Sequence, residues 1–174
     1  MSDAQYRRED EMYPAVCEWV RDWIRERMRT ADVVSYDTHR WRLNEFIRRR
    51  GLERFFRSSE WNTFDIKVDV TAFYRRRGDY GMVFVECKLG MISLSDLSQL
   101  LGYCKVAKPT SAPLISPAGV GSTIMELIRV YGRVDVLEYG KEAGMAPRRI
   151  ILGQWDSSRD MLIPGSILPD GAFA

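Results

Sequence analysis

Apolar and polar residues alternate along two neighbouring stretches of this chain. Over residues 65–73, Asp65, Lys67, Asp69 and Thr71 fall on one face of an extended strand, and Ile66, Val68, Val70 and Ala72 on the other. Over residues 82–89, Glu86 and Lys88 point together while Val83, Val85, Cys87 and Leu89 point the opposite way. The intervening residues 74–81 are polar and punctuated by Gly78 and Gly81, which predicts a hairpin. Pairing the two strands brings Asp69, Glu86 and Lys88 into one patch.

Helical spacing takes over on both sides. Residues 8–29 carry the apolar stripe Tyr13, Val16, Cys17, Val20, Trp23, Ile24 and Met28. Glu9 falls in line with that stripe, whereas Glu11 and Glu18 lie nearly opposite. Residues 33–37 read as a first strand, and Thr38 or Asp37 is placed to cap an arginine-rich helix that Gly51 interrupts. After the hairpin, residues 93–107 predict a helix that opens on Ser93 and Asp96, an acid-shortened relative of the capping box. Leu94, Leu97, Leu101 and Cys104 would face the sheet, and Gln99 and Tyr103, four apart, share a flank. There follow a strand at 112–116, a glycine-rich turn without phosphate-loop spacing, a helix at 122–131 and a strand at 134–139. Residues 140–147 read as a loop, 148–155 and 161–168 as a terminal hairpin, and 169–174 as a mobile tail. This order predicts an α/β fold with a central mixed β-sheet flanked by helices.

Size and composition narrow the class. A chain of 174 residues, 45% hydrophobic and 29% charged, is expected to form one soluble domain. No apolar run approaches the roughly eighteen residues of a membrane span, and residues 1–5 lack a signal peptide's apolar region, so no membrane partner is expected. Cys17, Cys87 and Cys104 form neither a disulfide framework nor a Cys-x-x-Cys metal pair, which suits a reducing, cytoplasmic setting. The lone His39 cannot form a histidine-rich metal site.

The net charge of +2 conceals a local asymmetry. Residues 38–57 hold seven arginines, Arg48, Arg49, Arg50 and Arg54 among them, against Glu45 and Glu53. Arg75, Arg76 and Arg77 add a cluster at the expected hairpin tip. Guanidinium forks suit phosphate oxygens, and the interleaved aromatics suit either base stacking or a core.

An aspartate on one strand followed by Glu-x-Lys on the next resembles the PD-(D/E)XK nuclease superfamily. Here Val68-Asp69 stands where that family has Pro-Asp, and Glu86-Cys87-Lys88 stands for the (D/E)-x-K. Gln99-x-x-x-Tyr103 looks like the extra motif of the superfamily's exonuclease-like branch, and Glu9 occupies the place of a first-helix glutamate that many members add to the metal site. The resemblance implies a restriction-endonuclease-like core over residues 9–139, an arginine-rich helical insertion at about 38–57 and a C-terminal extension at 140–174 containing the β-hairpin. It implies DNA as partner and leaves a homodimer open. It further implies that Asp69, Glu86, the Cys87 carbonyl and Glu9 hold Mg²⁺ or Mn²⁺, that Lys88 is catalytic, and that Gln99 and Tyr103 orient Lys88 or its strand. Catalytically, the expectation is a metal-dependent deoxyribonuclease. The rival is a nuclease-shaped module that binds nucleic acid or a protein without cutting.

Overall fold

Three antiparallel strands open the sheet: β1 (Asp32–Asp37), β2 (Val70–Arg76) and β3 (Asp79–Cys87). The computed structural model describes residues 6–141 and 143–172, so residues 1–5 and the last two of the expected mobile tail lie outside the described residues. The β2–β3 connection is a two-residue turn, Arg77-Gly78, with φ of 44° and 83°. Positive φ at both positions matches the twist of the flanking strands and makes Gly78 the natural second residue. The expected eight-residue connection is therefore mostly strand.

At its other end β2 starts later than the alternation suggests. Residues 65–68 are not in the sheet, because their backbone is engaged elsewhere. The Phe64 and Ile66 carbonyls accept from the Asn44 and Leu43 N–H groups at 3.0 and 2.8 Å. The Val68 carbonyl accepts from the Thr38 hydroxyl at 2.6 Å. The first two carbonyls satisfy opening N–H groups of α2 (Leu43–Arg50), which has no side-chain cap. Neither Thr38 nor Asp37 caps it, contrary to expectation. Gly51, in the left-handed conformation at φ 62°, ends α2, and two short 3-10 turns, Glu53–Phe55 and Ser59–Thr63, follow. The kink before β2 also moves Val68 to the opposite core from Val70, where a straight strand would have kept them together.

Beyond β3 the chain crosses through α3 (Leu94–Ala107) to β4 (Ala112–Ser116), which pairs parallel with β3. The Ser93–Asp96 capping box is present in full. The buried face of α3 is Leu97, Leu100, Cys104 and Ala107, whereas Leu94 is 42% exposed and Leu101 half-buried. After α4 (Ser122–Arg129), residues expected as one strand form a 3-10 turn, Val134–Leu137, and a three-residue β5 (Glu138–Gly140). β6 (Arg148–Asp156) lies inside the sheet, parallel to β4 and antiparallel to β5. The strand order is β1-β2-β3-β4-β6-β5, with the two-residue β7 (Met161–Leu162) paired to β6. The residues expected as a terminal appendage thus supply a central strand. Only its short return, β7, keeps the hairpin character.

Helices cover both faces of this seven-stranded mixed sheet. One face packs on α1 (Tyr13–Arg27) through Tyr13, Val16, Val20 and Ile24, each 3% exposed or less. Burial of each such side chain stabilises the layer by roughly 1.5–3 kcal/mol. The other face packs on α2, α3 and α4 through Phe73, Phe84, Leu114 and Leu152. No helix among the described residues is long and apolar enough to cross a membrane.

Candidate functional site

The strand register sets the site. Val70 pairs with Val85, so the next residues outward, Asp69 and Glu86, stand opposite each other at the end remote from the turn. Glu86 also pairs with Leu114 of β4, and the Lys88 N–H donates to the Ile115 carbonyl at 2.9 Å, which ties Lys88 to the sheet just past β3. The Asp69 carboxylate is held from two sides. Its Oδ2 accepts from the Cys87 N–H at 2.9 Å and its Oδ1 from the Tyr13 hydroxyl at 2.8 Å.

Glu86 is 4% exposed. Its Oε1 lies 3.3 Å from Lys88 Nζ, while its Oε2 is buried without a hydrogen-bond partner. Lys88 Nζ is also 3.9 Å from Glu9 Oε2. Glu9 reaches this point from a 3-10 turn, Glu9–Glu11, just ahead of α1, instead of from the α-helix that its spacing predicts. Glu11 is exposed and accepts from the Arg7 N–H, so it is turned away from this group. The structure therefore brings together Asp69, Glu86, Lys88 and Glu9.

Electrostatics follow from this crowding. Burial, and then the Asp69 charge, push the Glu86 carboxyl up to about 7, although Lys88 pulls against them. Burial also raises Asp69, opposed by the Cys87 N–H, the Tyr13 hydroxyl and Lys88. Glu9 is raised by burial as well. Burial would lower the Lys88 ammonium, but the charges of Glu86, Glu9 and Asp69 outweigh it and leave its pKa raised. Tyr13 is raised by burial and then by Asp69, so its hydroxyl stays protonated and remains a donor. One lysine here faces three acids.

Three residues in this neighbourhood escape a sequence reading of the site. Tyr13 counts there as part of the apolar stripe, yet its hydroxyl orients Asp69. Thr38, fully buried, donates its N–H to the Asp69 carbonyl at 2.8 Å and bonds the Thr71 hydroxyl at 2.9 Å. The His39 ring lies 5.0 Å from that of Tyr13 and pairs with Asp37 at 2.5 Å. A tyrosine in a core stripe is itself a signal, because its buried hydroxyl requires a partner.

Among the described residues, none of the other expected site side chains hydrogen-bonds or ion-pairs with Asp69, Glu86, Lys88 or Glu9. Gln99 is exposed, and its amide donates to the Tyr103 hydroxyl at 2.9 Å, so the two engage each other on the flank of α3. Arg75, Arg76 and Arg77 sit at the opposite end of β2 from Asp69. Arg48, Arg49 and Arg50 are exposed on the last turn of α2, and Arg54 follows on the next 3-10 turn.

Among the described residues, no three His, Cys, Asp or Glu side chains form a group spaced to hold a metal ion. A hard cation such as Mg²⁺ needs less, since it keeps several waters and takes one or two carboxylates. Facing carboxylates, one of them with a buried oxygen that no donor satisfies, fit that requirement. Comparisons with protein-family models, with curated proteins and with solved structures find no match for this chain.

Proposed function

We propose that this chain is a divalent-metal-dependent nuclease that hydrolyses DNA phosphodiester bonds, built on a restriction-endonuclease-like core of the PD-(D/E)XK type. The observation that carries the reading is the buried, unsatisfied Oε2 of Glu86, across the strand pair from Asp69 and beside Lys88. Leaving such an oxygen bare costs free energy that a cation would recover. The acid-bearing hairpin followed by a helix and a parallel strand supports the finer fold reading.

Asp69, Glu86 and the Cys87 carbonyl would hold Mg²⁺ or Mn²⁺, with Glu9 reaching it directly or through water. Bound there, the ion would polarise the phosphate and lower the pKa of a water. The Tyr13 hydroxyl and the Cys87 N–H hold the Asp69 carboxylate in one orientation. Lys88, kept protonated by three acids, places positive charge where negative charge builds up on the phosphate, or orients the attacking water. Gln99 and Tyr103 brace one another on α3 and act, in this reading, on the strand that carries Lys88.

One observation favours the rival, a binding module that does not cut. Both Asp69 oxygens already accept protein hydrogen bonds, and Lys88 already lies within ion-pair distance of Glu86 and Glu9. A carboxylate oxygen has two lone pairs, so one hydrogen bond leaves room for a cation. The deciding experiment is cleavage of linear, circular, single-stranded and branched DNA in Mg²⁺ and Mn²⁺ by wild type and by Asp69→Asn/Glu86→Gln. Metal-dependent cutting lost in the double variant supports the nuclease. Equal cutting by both proteins, or none by the wild type, defeats it.

A further inference from the structure

Arginines fall into two groups in this fold. Several lie against carboxylates, as Arg133 does on Asp135 and Arg149 on Glu138, both at 2.8–2.9 Å. Arg48, Arg49, Arg50, Arg54 and Arg57 lie on aromatic rings instead. Arg49 sits 4.5 Å from the Trp41 centroid, Arg54 4.7 Å from Phe55 and Arg57 5.4 Å from Tyr80. Arg48 is 5.7 Å from Trp61, and Arg50 5.7 Å from Tyr36. Among the described residues, none of these five is ion-paired with a carboxylate. Arg48, Arg54 and Arg57 each give one N–H to a neutral acceptor (the Asn62 side chain, the Gly51 carbonyl and the Gly78 carbonyl), and stacking restrains a guanidinium without neutralising it, so the charge and the remaining donors are left to meet an anion.

The segment that carries them is fixed at both ends. Thr38, at its start, is hydrogen-bonded to the Asp69 backbone, beside the acids. Arg57, at its finish, donates to the Gly78 carbonyl in the β2–β3 turn. Strand β2 runs between those anchors, and at about 3.3 Å per residue the seven steps from Asp69 to Arg76 span about 23 Å. Arg75 and Arg77 stand at the far end.

We propose that residues 38–57 form a phosphate track for one strand of duplex DNA. It starts beside the acid pair and ends at the hairpin turn. Its direction and origin rest on the nuclease reading. At about 3.4 Å per base pair along one strand, the track engages phosphates up to about seven base pairs from the scissile one. The rings under the guanidiniums are covered by them, so they are not platforms for unpaired bases, and contact is through phosphate. Such contact reads no sequence. A stiff duplex, unlike a single strand, keeps its distant phosphates in step with this spacing.

The test measures binding of fluorescein-labelled duplex stems of about 4 and 20 base pairs, the short one closed by a polyether loop to keep it double-stranded, by anisotropy, in EDTA, over a salt series. It uses wild type and Arg49→Gln/Arg54→Gln/Arg57→Gln, which keeps side-chain stems against the rings, with the alanine triple as a second variant. After correction for the number of binding registers, wild type should prefer the longer duplex by tenfold or more. Both triple variants should lose most of that preference, and their salt slopes should be shallower by about 2–3, near 0.9 per lost contact. Unchanged affinity and slope in whichever triple variant melts like wild type would overturn the track, as would no length preference in the wild type. Binding in EDTA is independent of cutting. A chain that shows the track but cuts no DNA in Mg²⁺ or Mn²⁺ defeats the nuclease reading alone, and one that cuts with an idle track defeats the track alone.

Discussion

Glu86→Gln should stabilise the metal-free protein at high pH, although it removes one half of an ion pair. The Glu86 carboxyl is held near 7 in the fold, against an ordinary value of 4.5. That gap corresponds to about 3 kcal/mol, and it already includes the attraction of Lys88. With Glu86 only 4% exposed, little solvent screening reduces the figure. The sign follows from proton binding. Between about pH 4.5 and 7 the folded state holds a proton that the unfolded state has released, so wild-type stability falls as pH rises and levels off above 7. Glutamine has the same shape and no charge, so it escapes this loss. The two proteins should melt alike at about pH 4.5, and Glu86→Gln should melt about 6–12 °C higher at about pH 8 in EDTA, for a chain of this size. Mg²⁺ should narrow the difference by stabilising the wild type. If Glu86→Gln were less stable than wild type by the same margin at both pH values, Glu86 would not be a strained charge, and the main support for a cation site would go.

Three further outcomes follow from named contacts. Lys88→Ala should lower cleavage roughly a hundredfold or more while keeping DNA affinity, and should melt below wild type at neutral pH in EDTA because it strips the buried acids of their counter-charge; undiminished cutting by the pure, folded variant would end the catalytic assignment. Tyr13→Phe removes a hydrogen bond to a carboxylate and should cost about 1.5–3 kcal/mol in urea unfolding at neutral pH, less in acid where Asp69 is protonated; a cost that does not change with pH would make Tyr13 mere packing. Gly81→Ala would drive a methyl group into the Tyr74 ring and the Thr110 hydroxyl, so a loss of about 1–3 kcal/mol is expected, and an unchanged melting temperature would show that the ring can swing aside.

Local patterns are legible where the chain obeys its own neighbours. Alternation over β3 and the capping box of α3 are such signals: α3 forms where it is read, and β3 covers most of the stretch read as strand but starts at Asp79 and ends at Cys87. Competition between distant backbone groups is not written locally. Residues 65–68 alternate as a strand does, yet the nearby carbonyls serve α2 and Thr38. Nothing within Ile150-Ile151-Leu152 tells an edge hairpin from a central strand, because a short apolar run suits either and the partner, β4, lies more than thirty residues away. Leucines at 94, 97, 100 and 101 permit two overlapping stripes on α3. The sheet selects the one through Leu100, which is fully buried.

The site divides the same way. Opposition of Asp69 and Glu86 follows from a hairpin and its parity, so the alternation pattern alone carries it. Helical periodicity points to Glu9, although a 3-10 turn delivers it, because one turn of either helix carries a side chain to nearly the same end of the sheet. Orientation of Asp69 by Tyr13 is hidden, since hydrophobic spacing registers the ring and ignores the hydroxyl. The arginines are the hardest to place. Arg75, Arg76 and Arg77 stand at the hairpin tip as expected, and an extended strand separates that tip from the acids by its full length. Residues 38–57 bridge that separation because one end is bound to Asp69 and the other to Gly78. On the proposed nuclease reading, the acids mark where a phosphate would be cut, and the arginines mark how far from that point the same strand would still be held.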